Sequence, residues 1–150
     1  MNYESQDSIL ATIKKMLGID DDYSVFDMDL IVLINSALMN LQQLDVGPKD
    51  GFVVKDYTQT WHEFLTNEVK LEAAKTYVYL KVKTVFDPPS SSFVLEAYNK
   101  QIQELECRLI MQAESVEEFD FTKATTSIQP SYIHTSPAVV NISIEEVEQP

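Results

Sequence analysis

Apolar residues recur at helical spacing in four stretches of this chain, and in one late stretch they alternate singly with polar residues. In the segment 8–17, Ile9, Leu10, Ile13, Met16 and Leu17 share one face, and Lys14 and Lys15 stand late, where positive charge complements the helix dipole. Gly18 supplies the stop. An acidic loop, Asp20-Asp21-Asp22-Tyr23-Ser24, precedes a second start, with Asp27 as the expected cap and Phe26 expected to pack on Ile31 as a hydrophobic staple. From there Leu30, Ile34, Ala37, Leu38, Leu41 and Leu44 form one stripe, and Ile31, Val32 and Leu33 widen it until the helix is apolar nearly all round. Such a helix is expected to lie centrally. Gly47-Pro48 ends it, because glycine accepts a left-handed C-terminal conformation and proline cannot continue a helix.

The turn Pro48-Lys49-Asp50-Gly51 leads into residues 52–57, whose composition is strand-like. Thr60 and Glu63 then have the spacing of a capping box around the only tryptophan, Trp61, and Asn67 restarts the helix. The segment 68–86 presents Leu71, Ala74, Tyr77, Val78, Leu80, Val82 and Val85, and carries Lys70, Lys75, Lys81 and Lys83. Asp87-Pro88-Pro89 closes it, and the serines at 90, 91 and 92 offer caps for a last helix with Leu95, Tyr98, Ile102, Leu105 and Leu109 as its seam.

After about residue 114 the helical period stops. Residues 114–150 hold seven carboxylates against Lys123 alone, so this part carries −6 of the chain's formal −13. It is rich in Ser, Thr and Pro until Val140, Ile142 and Ile144 alternate with Asn141, Ser143 and Glu145, the pattern of a half-buried strand with no evident partner in the chain. Residues 122–150, drawn out at about 3.3 Å per residue, span roughly 95 Å, far enough to reach a neighbouring molecule. The expected organisation is therefore a helical domain over 1–114 and an acidic, extended C-terminal tail over 115–150. The expected fold class is all-α, a bundle of about four to five helices whose tail is able to add a β-strand to a partner.

Charge and composition narrow the function. A net charge of −13 and a pI near 4.4 argue against tight binding to nucleic acid or an anionic membrane, which requires Lys and Arg to displace counterions. The longest wholly apolar run, 30–34, falls far short of the roughly 20 residues that cross a bilayer, and residues 1–8 lack the basic and apolar regions of a secretory signal. The single cysteine, Cys107, has no partner for an internal disulfide, in keeping with synthesis in a reducing cytoplasm.

Catalytic and ligand motifs fail on inspection. A phosphate-cradling loop needs clustered glycines, and the three here stand apart at 18, 47 and 51. His62-Glu63 begins like a zinc-protease helix, but Thr66 stands where the second histidine belongs and His134 lies in the tail. An EF-hand loop started at Asp20 would need Gly at 25 and Glu at 31, where Val25 and Ile31 stand. Cys107 lies among Glu104, Glu106 and Arg108, where carboxylates would raise a thiol pKa, so a structural role is expected for it. Lys100, Glu104 and Arg108 are four apart and read as ordinary surface pairing. No catalytic residue, cofactor or metal site is expected, and the chain does not read as an enzyme.

One resemblance covers roughly 8–114. Ile9-Leu10, Ile13-Lys14, Leu17-Gly18-Ile19, Phe26-Asp27-x-Asp29, Ile34-Asn35-Ser36 and Leu44-x-Val46-Gly47-Pro48 occur in the order found in the head-tail connector (adaptor) family of tailed bacteriophages and prophages. Gly51-Phe52, Trp61, Lys75-x-Tyr77-Val78-Tyr79-Leu80-Lys81-Val82, Phe86-Asp87-Pro88-Pro89-Ser90-Ser91 and Glu104-Leu105-Glu106-x-Arg108-Leu109 are similar to the same family in the same register, with Cys107 where a large aromatic is usual.

The resemblance implies a structural virion protein at the head-tail junction, made in the bacterial host cytoplasm. It further implies a homo-oligomeric ring of about 12 copies below the portal protein, followed by a tail completion or stopper protein, with DNA passing through the channel without specific binding. The tail is outside the resemblance. Its alternation makes Val139, Val140, Ile142 and Ile144 the expected partner-binding residues, adding a strand to a sheet edge of the portal or of an adjacent neck protein. A small acidic helical regulator or DNA-mimic inhibitor would share the acidity and the lack of catalytic motifs. Such a mimic would spread its carboxylates over one ordered face, whereas here they gather in the 20–22 loop and the tail.

Overall fold

Local capping chemistry sets where the helices begin and end. In the computed structural model, which describes residues 7–114, Ser8 accepts the Ala11 N–H and opens α1, Ile9–Leu17, and Gly18 closes it in the left-handed conformation at φ 76°. Helix α2 runs Asp27–Gln43, α3 is the single turn Trp61–Phe64, α4 spans Glu68–Phe86 and α5 spans Ser92–Glu114. Both halves of the Thr60/Glu63 capping box form, and the Asn67 side chain accepts the Lys70 N–H at the head of α4. The described residues are all-α, as the spacing predicts.

Several details differ from the expectation. Asp27 is the first residue of α2 and not its cap, and Phe26, at the cap position, makes no side-chain cap hydrogen bond. The Phe26 ring lies 5.5 Å from Tyr23 and, edge-on, 5.3 Å from Phe86, so it ties the start of α2 to the end of α4. After α2 the left-handed residue is Asp45 at φ 59°. Gly47 is needed on two grounds: its φ is 115°, and a Cβ there would sit 2.6 Å from the Phe64 ring. Residues 52–57 form no strand, and the one bridge among the described residues joins Ser8 to Thr60.

Position in the bundle also differs. The expected central helix, α2, buries Leu30, Ile34, Ala37, Leu38 and Leu41 against α4 and α1. It is α4 that occupies the middle, packed against α2, α5 and α1 and burying Leu71, Ala74, Tyr77, Val78, Leu80 and Val82 around a wide arc, with Val85 left outside. Helix α5 runs antiparallel to α4. Lys70 Nζ donates to the Gln112 carbonyl at 2.7 Å and the Tyr77 hydroxyl donates to Glu106 at 2.8 Å, while Ile102 and Leu109 fill the seam. Burial, and then the Glu106 carboxylate, push the Tyr77 hydroxyl well above its ordinary pKa, so it remains a donor.

The segment 52–54 is extended and held on α2 by side-chain amides. Asn35 donates to the Val54 carbonyl and accepts the Val54 N–H, both at 2.8 Å, and Gln42 donates to the Phe52 carbonyl at 3.1 Å. Phe52 and Val54 thereby face the core and Val53 faces out. Asn35→Ala leaves both backbone groups of a buried residue unpaired, so a loss of about 1–3 kcal/mol is expected in urea unfolding. A midpoint equal to the parent's would show that water replaces both bonds without cost.

Candidate assembly interface

The polar groups inside the domain are used structurally. Lys14 shares a face with Leu10 and Ile13, so α1 carries it inward, and its side chain is fully buried instead of serving the helix end at the surface. Its Nζ donates to the Asp21 carbonyl at 2.9 Å and to the Tyr57 oxygen at 2.6 Å, and lies 2.9 Å from Asp27 Oδ1. The Tyr57 hydroxyl donates onward to Asp27 Oδ2 at 2.7 Å. Burial alone would lower the Lys14 pKa, but Tyr57 and Asp27 outweigh it and hold the ammonium above its ordinary value. Burial likewise pushes the Asp27 carboxyl up, and Lys14 and Tyr57 bring it below the ordinary carboxylate value. This cluster pins the acidic 20–22 loop and the 55–58 turn to the junction of α1 and α2.

The residues with catalytic potential do not converge. His62 sits exposed at the head of α3, with Nδ1 2.7 Å from Asp7 and Nε2 3.2 Å from Glu68, and these carboxylates raise its pKa. Glu63 is occupied in the capping box. Cys107, expected to be structural, stands exposed on α5. Among the described residues no three His, Cys, Asp or Glu side chains are grouped to hold a metal, and no helix is long and apolar enough to cross a membrane.

Two surfaces remain unexplained by folding. On α2, Met28, Val32 and Met39 follow one another at spacings of four and seven on the side opposite the buried stripe, and are 73%, 64% and 55% exposed. Val53, outward on the anchored segment, is 57% exposed. Side chains of this size contribute about 1.5–3 kcal/mol each when fully buried, and with more than half of each exposed the isolated domain forgoes a large part of that. Helix α2 has no Lys or Arg, and Asp29 is exposed beside the stripe.

The second surface is the outward side of α5. There Phe93, Ala97, Lys100, Glu104, Cys107 and Met111 recur at spacings of three and four, all exposed, with Arg108 beside them. Lys100, Glu104 and Arg108, expected to pair with one another, form no ion pair among the described residues. A shallow hollow runs along this flank from Ala97 to Arg108.

The sequence flags the first surface only indirectly, through an α2 that is more apolar than one buried face requires. It gives no signal for the second, where apolar ends flank a charged middle. The partner-binding residues expected in the tail, Val139, Val140, Ile142 and Ile144, lie outside the described residues.

In comparison with known proteins, the family model described as phage connector protein matches residues 9–116, from the first residue of α1 to just past α5. No curated protein and no solved structure matches the chain.

Proposed function

Because this chain belongs to the phage head-tail connector family, a family of structural proteins, we propose that its helical domain assembles into a closed ring of about 12 copies on the tail-side face of the portal protein. The observation that carries the reading is the family match across nearly all of the described domain. Two exposed faces with apolar side chains, on α2 and α5, support it, since a subunit of a ring needs contacts on two sides. The ring joins the capsid to the tail, with a completion or stopper protein below it, and DNA passes through its channel.

A channel must let DNA slide. Acidic subunits with few clustered cations offer little adhesion to phosphate, and screening over about 8 Å at physiological salt restricts the effect to side chains that line the lumen. Electron microscopy of the full-length chain mixed with its portal should show a ring of added density under the portal. A chain that stays monomeric beside the portal and is missing from the neck of virions would end this reading.

The tail takes the second contact. Val139, Val140, Ile142 and Ile144 are proposed to bind as one strand on a sheet edge of the portal or of an adjacent neck protein, with backbone hydrogen bonds giving affinity and alternate side chains giving register. Pro137 precedes the strand, where no ladder donor is needed. Truncation after Ser136 should leave the circular dichroism spectrum and melting of the helical domain unchanged while incorporation into the neck falls. Incorporation at the parental level would show that the alternation is incidental.

A further inference from the structure

We infer that neighbouring copies meet head to tail, with the outward face of α2 on one copy seated against the outward face of α5 on the next. The inference rests on the ring reading and names the surfaces that make it. Helix α4 lies between α2 and α5, which pack on it and hardly on each other. The outward faces of α2 and α5 therefore look away from α4 on different sides of the domain. A heterologous contact that closes into a ring requires two different patches placed in this way, whereas a two-fold dimer uses one patch twice.

The two faces are complementary in chemistry. The α2 face offers Met28, Val32 and Met39, bordered by Asp29, with no cation on the helix. The α5 face offers Phe93 and Met111, 78% and 63% exposed, on either side of Lys100, Glu104 and Arg108, two cations to one carboxylate, and neither cation has an ion-pair partner among the described residues. Apolar side chains on each face can cover those on the other, and the α5 cations can meet the α2 carboxylates. Two copies of the α2 face would bring carboxylates together with nothing to neutralise them.

The chain carries a built-in probe. Cys107 is its only cysteine, exposed on the α5 face. Single substitutions Val32→Cys and Met39→Cys, both at exposed positions, place a second thiol on the α2 face. Each is made in the native background and, to sample the other end of α5, in a Cys107→Ala, Ala97→Cys background. Full-length chains assembled on portal rings are treated with a short bismaleimide and separated under denaturing conditions.

A head-to-tail contact gives each subunit one bond on either side, so at least one combination should produce a ladder of trimers, tetramers and higher species. Parent chains with Cys107 alone should remain uncrosslinked. Rings that form normally but give no ladder in any combination overturn the face assignment and leave the ring intact. Dimers formed by the parent through Cys107 would show α5 meeting α5 and overturn it as well. Failure of the parent to form rings removes the ring reading, and this inference with it.

Discussion

Leu38→Asp should abolish the cooperative fold. Leu38 is fully buried on α2 in the core cluster with Ile34, Leu41 and the α4 side chains, and α2 itself carries no Lys or Arg to pair a new carboxylate. Burying an unpaired carboxylate costs several kcal/mol even after the group neutralises by taking up a proton, and the lost leucine adds a further ~2–5 kcal/mol for packing. That sum is comparable to the whole stability of a domain of this size, about 5–15 kcal/mol. Circular dichroism should show helix content collapsing at 25 °C with no thermal transition. Melting like the parent would mean that α2 is not packed as described. Val32→Asp is the control: six residues earlier on the exposed stripe, it should change the melting little while reducing ring assembly.

The Lys14, Asp27 and Tyr57 cluster should be the most sensitive polar site. Asp27→Ala leaves a fully buried ammonium with the Asp21 carbonyl and the Tyr57 oxygen but no countercharge, and breaking one side of a buried pair typically costs about 3–5 kcal/mol. The double variant Lys14→Met, Asp27→Leu should recover most of that loss, because the larger penalty is the isolated charge and not the missing attraction. A double variant as unstable as Asp27→Ala would show that the cluster acts through its hydrogen bonds to the 20–22 loop.

The cluster also sets a pH range. Asp27 has a folded pKa below its ordinary 3.8, so its contribution is present above that value and is lost as pH falls through the depressed folded pKa. Lys14 has a folded pKa above its ordinary 10.5, so its contribution is present below that value and is lost as pH rises through the raised one. Urea midpoints of the parent should therefore exceed those of the double variant by a constant margin between about pH 4 and pH 10. The margin should narrow only outside that window.

Much of the fold was legible in the sequence because it is encoded locally. Ser8, Gly18, the Thr60/Glu63 box, Asn67 and Asp87-Pro88-Pro89 act on backbone groups within a turn of themselves, so the bounds of α1, α3 and α4 follow from neighbouring residues alone. The buried stripe of α2 was equally plain, since Leu30, Ile34, Ala37, Leu38 and Leu41 share a face whatever they pack on. The family was readable as well, from short motifs spread in order along the helices.

The tertiary structure decided what depends on partners far along the chain. Lys14 reads as a surface cation at a helix end until Tyr57, 43 residues away, and Asp27 close over it. Asn35 reads as a polar interruption until Val54 lies beside it with both backbone groups to satisfy. Residues 52–57 have strand composition, but with no second strand to pair with among the described residues, 52–54 lie extended on α2 under its side-chain amides and the chain then turns. The assignment of the middle of the bundle to α4 and not α2 is of the same kind. Apolar width says how much of a helix can be buried, and only the number of helices packed around it says how much is. The apolar excess of α2, Met28, Val32 and Met39, is likewise left uncovered by the number of helices and not by the pattern along the chain.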